Sequence, residues 1–325
     1  MSDSSFSAQV TTFSQAPSLE ALVDVVDVHA STPANPPEQI QIKFVGASYA
    51  DAYAEAETFV KVSDEFAAKH GRGGYAGLER IVDFGSGWGR ISRFLLMRVT
   101  ASKIYALDVD DQMTALVNTT LPGVNAMTVN PSPPTVLADA AIDAALAFSV
   151  FSHLSGPAHE AWAREFGRVI APGGVVSITV LDKAFFAQIA GAQAAAATGE
   201  ADDFAANLAT TFSDLGAARA GYDAGQIQFA GSGGGEVRTG DYYGWAAAPV
   251  KYVERVWGAA GFRIVEWVPS GVLFQQALVF LVRQRSGGTG GAVDSARGVL
   301  ARQLIGNSIG RARRLAARVR RRLAS

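Results

Sequence analysis

Between residues 80 and 183 of this 325-residue chain, short apolar runs alternate with longer runs patterned for helices. "RIVDFG" precedes "RISRFLLMRV", "KIYALDVD" precedes "DQMTALVNTTL", and "VNAMTVN" and "IDAALAFSV" lead to "AHEAWAREFGRVIA" and "GGVVSITVLD". Strands covered on both faces read as near-continuous apolar runs, because neither face meets water. Strand and helix in repeated succession then predict a parallel sheet with crossover helices on both sides. The expected fold class is α/β, doubly wound. The rhythm returns at "VKYVERVWGAAG", "FRIVEWV" and "QQALVFLVR", read as one helix and two strands.

The rest of the chain is arranged around that block. Residues 1–39 end in "STPANPPEQ", whose prolines predict an extended N-terminal arm. In "ASYADAYAEAETFVKVSDEFAAKH", Tyr49, Tyr53, Phe59, Val60, Val62 and Phe66 approximate one helical face, and "GRGG" stops the helix. The main domain is expected over residues 40–284. Within it, residues 184–248 break the rhythm with an Ala-rich, helix-prone stretch and then "GSGGGEVRTGDYYGW". An insertion late in such a sheet is placed to cap the ligand crevice at the carboxyl edge of the strands; the alternative is a surface excursion away from substrate. Residues 285–293 read as a Gly-rich linker. Residues 294–325 read as a basic amphipathic tail with nine arginines and one acid. Its apolar positions, Leu300, Leu304, Leu315, Val319 and Leu323, suit an anionic membrane surface or an acidic partner, and a solvated tail fits the composition as well.

Composition removes several classes of function. Ahead of the tail, 19 basic residues face 29 acidic ones, a balance that weighs against nucleic acid as a partner. The absence of cysteine excludes disulfides, thiol nucleophiles and Cys-based zinc sites. His29, His70, His153 and His159 lack ligand spacing, so no metal is expected. The first thirty residues lack a basic segment followed by an apolar one, and no apolar run reaches the roughly 20 residues that span a bilayer. These features predict a cytoplasmic protein, peripheral at the membrane only through the tail.

The chemistry begins at "IVDFGSGWGRISRFLL". A strand that runs into glycines at alternate positions and then a helix builds a pocket walled by backbone, with unpaired N–H groups at the helix start. The dinucleotide fingerprint requires G-x-G-x-x-G, whereas Gly85, Gly87 and Gly89 are spaced G-x-G-x-G, one residue short. Asp108 ends the next predicted strand, where a carboxylate can accept hydrogen bonds from both hydroxyls of an adenosine ribose.

With these residues the chain resembles the class I S-adenosylmethionine-dependent methyltransferases. "VDFGSGWGR" is similar to their first motif, "ALDVD" to their second, "IDAALAFSVFSHLS" to the fourth-strand motif and "RVIAPGGVVSITV" to the helix, turn and fifth strand. The resemblance implies a Rossmann-like sheet of seven strands with the last antiparallel, and S-adenosyl-L-methionine as cofactor. It further implies that Asp83, Gly85, Ser86, Gly87 and Gly89 surround the cofactor's methionine part and that Asp108 holds the ribose. Val109 would lie against the adenine, Asn130 near it, and Phe148 and Ser149 along the cofactor. G-W-G-R, S-V-F-S-H-L and the strand opening on Gln275-Gln276 resemble a bacterial group linked to glycans and natural products, which implies a small-molecule or glycan acceptor, methylated at oxygen.

His153, after the fourth strand, is the candidate general base, an imidazole being half-titrated near neutral pH; packing beside the cofactor is its structural alternative. Tyr242, Tyr243 and Trp245 are candidates to stack on an acceptor or to anchor the insertion, and Gln275 to reach the crevice. Arg90 is read as a structural ion pair at the helix start, with an anion contact as its alternative, His159 as a surface residue and Trp162 as core. Two other functions compete: a nicotinamide-dependent oxidoreductase, and a non-catalytic cofactor-binding scaffold that works through the basic tail.

Overall fold

The computed structural model describes residues 11–12, 34–36, 38–45, 48–70 and 73–285. The linker beyond Arg285, the basic tail and most of the N-terminal arm lie outside the described residues.

After the short strands β1 (Thr11–Thr12) and β2 (Ala34–Asn35), the chain forms β3 (Ile81–Phe84), β4 (Ile104–Asp108), β5 (Asn125–Thr128), β6 (Ile142–Ala147), β7 (Ile170–Val180), β8 (Gln228–Gly231), β9 (Gly244–Ala247), β10 (Phe262–Val268) and β11 (Ala277–Arg283). Seven of these form one sheet in the order β10-β11-β7-β6-β3-β4-β5. Pairs β3·β4, β3·β6, β4·β5 and β6·β7 are parallel, and β11 is antiparallel to both β7 and β10. The order reverses between β3 and β6, the switch point at which an open α/β sheet leaves a crevice outside the carboxyl ends of its strands.

Alternation along each strand sends its residues to two separate cores. Ile81, Ile104, Ala144 and Leu146 pack under the helices Tyr49–His70 and Arg90–Leu95. Val82, Phe84, Ala145 and Val176 pack under the helices Gly156–Val169 and Val250–Ala259. His159 is a correction: it is fully buried in this second core, where its Nε2 accepts a hydrogen bond of 3.0 Å from Trp257 Nε1. It shares a helix face with the buried Trp162 and Ala163, and a second helix, Val250–Ala259, covers that face, so a position that reads as surface is interior. Trp162 is core, as expected.

Two described pieces of the first 45 residues are structured. Ala34–Asn35 pairs antiparallel with Thr11–Thr12, and a helix already spans Glu38–Val45. Gln41 ties it down, its Nε2 donating to Pro36 O at 2.9 Å and its Oε1 accepting from Tyr49 N at 2.8 Å.

The insertion has a core of its own, with Phe185, Phe186, Ile189, Leu208 and Tyr222 packed among the helices Phe185–Thr198, Asp203–Ala209 and Leu215–Asp223. Asp202 and Asp214 cap the last two, each accepting from a backbone N–H three residues on. A hairpin follows, β8 (Gln228–Gly231) and β9 (Gly244–Ala247). It is stitched to the turn after β6 by Gly244 N→His153 O, Ala246 N→Ser152 O and Ser155 N→Tyr242 O, each 2.8 Å. The glycine-rich stretch thus stands directly over the crevice. Among the described residues no helix is long and apolar enough to cross a membrane, and no His, Asp and Glu side chains gather as a metal site.

Candidate active site

The glycine loop is fastened to β4 before any ligand is considered. Gly85 N and Ser86 N donate to Leu107 O at 2.8 and 3.0 Å, and Gly87 N donates to Asp108 Oδ2 at 2.8 Å. Gly85 has φ +71°, and a Cβ added there would lie 2.3 Å from Val150 Cγ2. Gly89 has φ +83°, and its Cβ would lie 2.8 Å from Leu121 Cδ1. Only a glycine lets the loop approach these neighbours. At Gly87 an added Cβ would meet nothing within 4 Å, so the backbone there borders open space.

That space is an inner cavity of 160 Å³, lined by Gly85, Ser86, Gly87, Trp88, Asp108, Val109, Phe148, Ser149 and His153 among others. Three of the expected cofactor residues do not line it. Asp83 alternates with Phe84 along β3, so it faces the opposite core; its Oδ2 accepts from Ser92 N and Ser92 Oγ at 2.9 and 2.7 Å. It holds the helix to the strand, and burial pushes its carboxyl up to about 7. Gly89 faces Leu121 and Val117. Asn130 is exposed beyond the end of β5, and its neighbours Val129 and Pro131 line the cavity instead. Arg90 is the expected structural ion pair, donating to Glu55 Oε2 at 2.8 Å and Ala52 O at 2.9 Å.

Ser86 and Trp88 are among the residues that line the cavity, and their Oγ and Nε1 are buried with no hydrogen-bond partner among the described residues. Such unsatisfied groups are costly unless a ligand completes them. Burial raises the Asp108 carboxyl above the ordinary carboxylate range, opposed by Arg238 and by backbone N–H groups.

On the other side of His153 lies an outer basin of 580 Å³. Asp110, Asp111, Asn207, Glu236, Arg238 and Trp245 line it, and His153, Arg238 and Tyr243 belong to both chambers. Tyr243 stacks on His153 with ring centroids 5.0 Å apart, and Trp245 lies tilted at the same distance. Trp245 also touches Phe185 and Phe204 of the insertion. Tyr242 lines the inner cavity, and its hydroxyl donates to Val237 O at 2.5 Å.

A hydrogen-bond chain sets the state of His153. Thr179 Oγ1 donates to Gln276 Oε1 at 2.7 Å, and Gln276 Nε2 donates to Ser149 Oγ at 2.8 Å. The Ser149 hydroxyl proton is then free to point at His153 Nε2, 3.3 Å away. His153 Nδ1 lies 2.7 Å from Gly244 O, which only accepts, so Nδ1 carries the proton and Nε2 a lone pair. Burial lowers the His153 pKa to about 4, with Arg238 pushing the same way against the Gly244 hydrogen bond. The imidazole is neutral at pH 7. Ser149 adopts φ +57°, a left-handed conformation uncommon outside glycine, which turns its side chain into this chain of contacts.

Gln275, in the turn before β11, is exposed, whereas its neighbour Gln276 reaches Ser149 Oγ. Arg238 and Asp110 were not singled out in the sequence. The only signal in the sequence is an isolated arginine inside the glycine-rich "GSGGGEVRTG".

Residues 81–174 match the family model of the methyltransferase domain. These residues form a methyltransferase domain. The match spans the strands and turns that build the inner cavity, and the observed strand order, with its antiparallel final strand, is the one the resemblance implied. No curated protein matches the sequence. Among solved structures, a methyltransferase from Clostridium acetobutylicum is similar at 13% identity and TM-score 0.48, over 76% of this chain and 97% of that one. An amino pentose methyltransferase of calicheamicin biosynthesis from Micromonospora echinaspora has 16% identity and TM-score 0.44, over 72% and 92%. The 1,6-didemethyltoxoflavin-N1-methyltransferase of Burkholderia thailandensis, solved with its substrate and S-adenosylhomocysteine, has 15% identity and TM-score 0.45, over 85% and 94%.

Proposed function

We propose that the methyltransferase domain uses S-adenosyl-L-methionine in the inner cavity to methylate a small-molecule or glycan hydroxyl presented from the outer basin. The observation that carries this reading is the shared wall: His153, Tyr243 and Arg238 border both chambers, so two ligands would meet at one imidazole. The unsatisfied Ser86 Oγ and Trp88 Nε1, the open backbone at Gly87 and the Asp108 carboxylate fit a donor with a polar amino-acid end and a ribose. When bound, that donor supplies an electrophilic methyl on a sulfonium.

The chain's own residues orient the acceptor and take up its proton. Gly244 O fixes the His153 tautomer, leaving Nε2 as the acceptor atom at the junction of the chambers. With the Ser149 hydroxyl turned to Ser152 Oγ, 3.5 Å away, a neutral imidazole there would accept a hydrogen bond from an acceptor hydroxyl and take up its proton. Tyr243 and Trp245, flanking the imidazole, offer flat faces for the acceptor. The insertion acts in this reading as the cap of the crevice. A nicotinamide oxidoreductase is not favoured, because the matched family is a methyltransferase domain. The scaffold reading depended on a tail that lies outside the described residues.

The test is a transfer assay with labelled donor against a panel of sugar and natural-product hydroxyls. His153→Gln is expected to lower kcat roughly a hundredfold while S-adenosylhomocysteine affinity stays within about twofold. Unchanged turnover in that variant would remove His153 from the chemistry.

A further inference from the structure

Resting on the reading that the inner cavity takes the donor, we propose that Arg238 is a latch that occupies the ribose-binding face of Asp108 until the donor displaces it. Three donors already meet this carboxylate. Gly87 N donates to Oδ2 at 2.8 Å, and Asp110 N and Arg238 Nη2 donate to Oδ1 at 2.9 and 3.1 Å. A carboxylate offers about four lone-pair sites, so roughly one remains, whereas a ribose brings two hydroxyl donors. The two backbone donors belong to the strand end and the glycine loop and cannot leave without opening the fold. Arg238 can, because it comes from the far end of an inserted hairpin.

The structure provides a place for it to go. Arg238 Nη1 also donates to Asp110 Oδ2 at 3.2 Å, and Asp110 borders the outer basin with Asp111 and Glu236. Release from Asp108 alone is therefore a pivot about Asp110 rather than the exposure of an unpaired charge. The loop that carries Arg238 includes Gly233 at φ +68° and Gly235 at φ +109°, and no added Cβ at Gly235 would touch anything within 4 Å. Such a loop has the conformational freedom a latch requires. In the described state the Arg238 side chain is only 12% exposed and keeps Asp108 paired in a buried setting. The donor thereby exchanges one set of charge-assisted hydrogen bonds for another, and loading it hands a guanidinium to the chamber where the acceptor arrives.

Calorimetric titration of the full chain tests this, with S-adenosylhomocysteine, adenosine and 2′,3′-dideoxyadenosine against wild type, Arg238→Gln and Arg238→Met. Arg238→Met keeps the apolar stem near Tyr243, so a folded variant is in hand if one substitution disturbs the hairpin. Removal of the latch is expected to tighten S-adenosylhomocysteine and adenosine roughly tenfold, the worth of one charge-assisted hydrogen bond, and to leave dideoxyadenosine unchanged. Arg238→Lys, which retains a cation, is expected to bind like the wild type. Equal or weaker adenosine binding in the variants, or an equal gain for dideoxyadenosine, overturns the latch and leaves the donor reading intact. Failure of every ligand to bind wild type and variants alike overturns the donor reading itself, and the latch with it.

Discussion

The inner cavity and the outer basin share a wall but are built in opposite ways. The inner one is made by strand ends and a turn whose N–H groups are already committed to Leu107 and Asp108, in a loop where glycine is forced by contacts under 3 Å at Gly85 and Gly89. The outer one is made by an insertion that reaches the sheet through a hairpin and contributes Trp245, Glu236 and Arg238 from a glycine-rich loop. Chemistry common to many proteins is held by the part of the chain with the least freedom. The proposed function assigns acceptor recognition to the inserted part. Under the proposed function, damage to the first should remove donor binding, and damage to the second should alter acceptor use while sparing the donor.

The largest effect is expected from Gly85→Ala. Its Cβ would collide with Val150 at an unfavourable positive φ, so denaturant melts should show a loss of about 2–4 kcal/mol and calorimetry no measurable donor affinity. Val150→Ala in the same chain should restore part of both. Asp108→Asn comes next: with two hydroxyl contacts demoted from charged to neutral, S-adenosylhomocysteine affinity is expected to fall about 10- to 100-fold. An Asn variant that binds as tightly as wild type would separate ribose recognition from this residue.

A stability measurement checks how firmly the covered core around His159 excludes charge. Burial lowers the pKa of His159 to about 3, while the unfolded chain titrates near the ordinary 6.5. The folded state therefore binds fewer protons: this stability is present above pH 6.5 and lost as pH falls toward 3. Between pH 7 and 5 that amounts to about 2 kcal/mol, and His159→Gln, which keeps an acceptor for Trp257 without titrating, should flatten the slope in urea melts by that amount. The smallest effect is expected from Trp245→Ala in the outer basin. Acceptor KM should rise roughly tenfold while donor affinity stays unchanged. If donor affinity fell equally, the two chambers would not be separable.

Much of the inner cavity was legible because its causes are local. Glycines that must adopt positive φ, an acid at a strand end and apolar runs too continuous for a half-exposed sheet are written in neighbouring positions. The resemblance implied Asp83 at the cofactor, whereas the strand turns alternate side chains to opposite faces and this one meets Ser92. It put His159 at the surface because the helix Val250–Ala259 that covers it is some ninety residues away in sequence. Gln275 rather than Gln276 was singled out because the orientation of two adjacent glutamines in a turn is set by their contacts, here Thr179 and Ser149, far away in the chain.

The sequence by itself determined the fold class, the loop that walls the inner cavity and the position of Asp108 and His153 beside it. Each follows from short-range sterics and from the period of the hydrophobic pattern. Only the tertiary structure decided that Gly244 sets the tautomer of His153, that Gln276 and Ser149 complete its contacts, and that Arg238 closes on Asp108 from 130 residues away. Those pairings join segments whose spacing along the chain carries no signal of contact, and they exist because an inserted hairpin comes to rest on the carboxyl edge of the sheet.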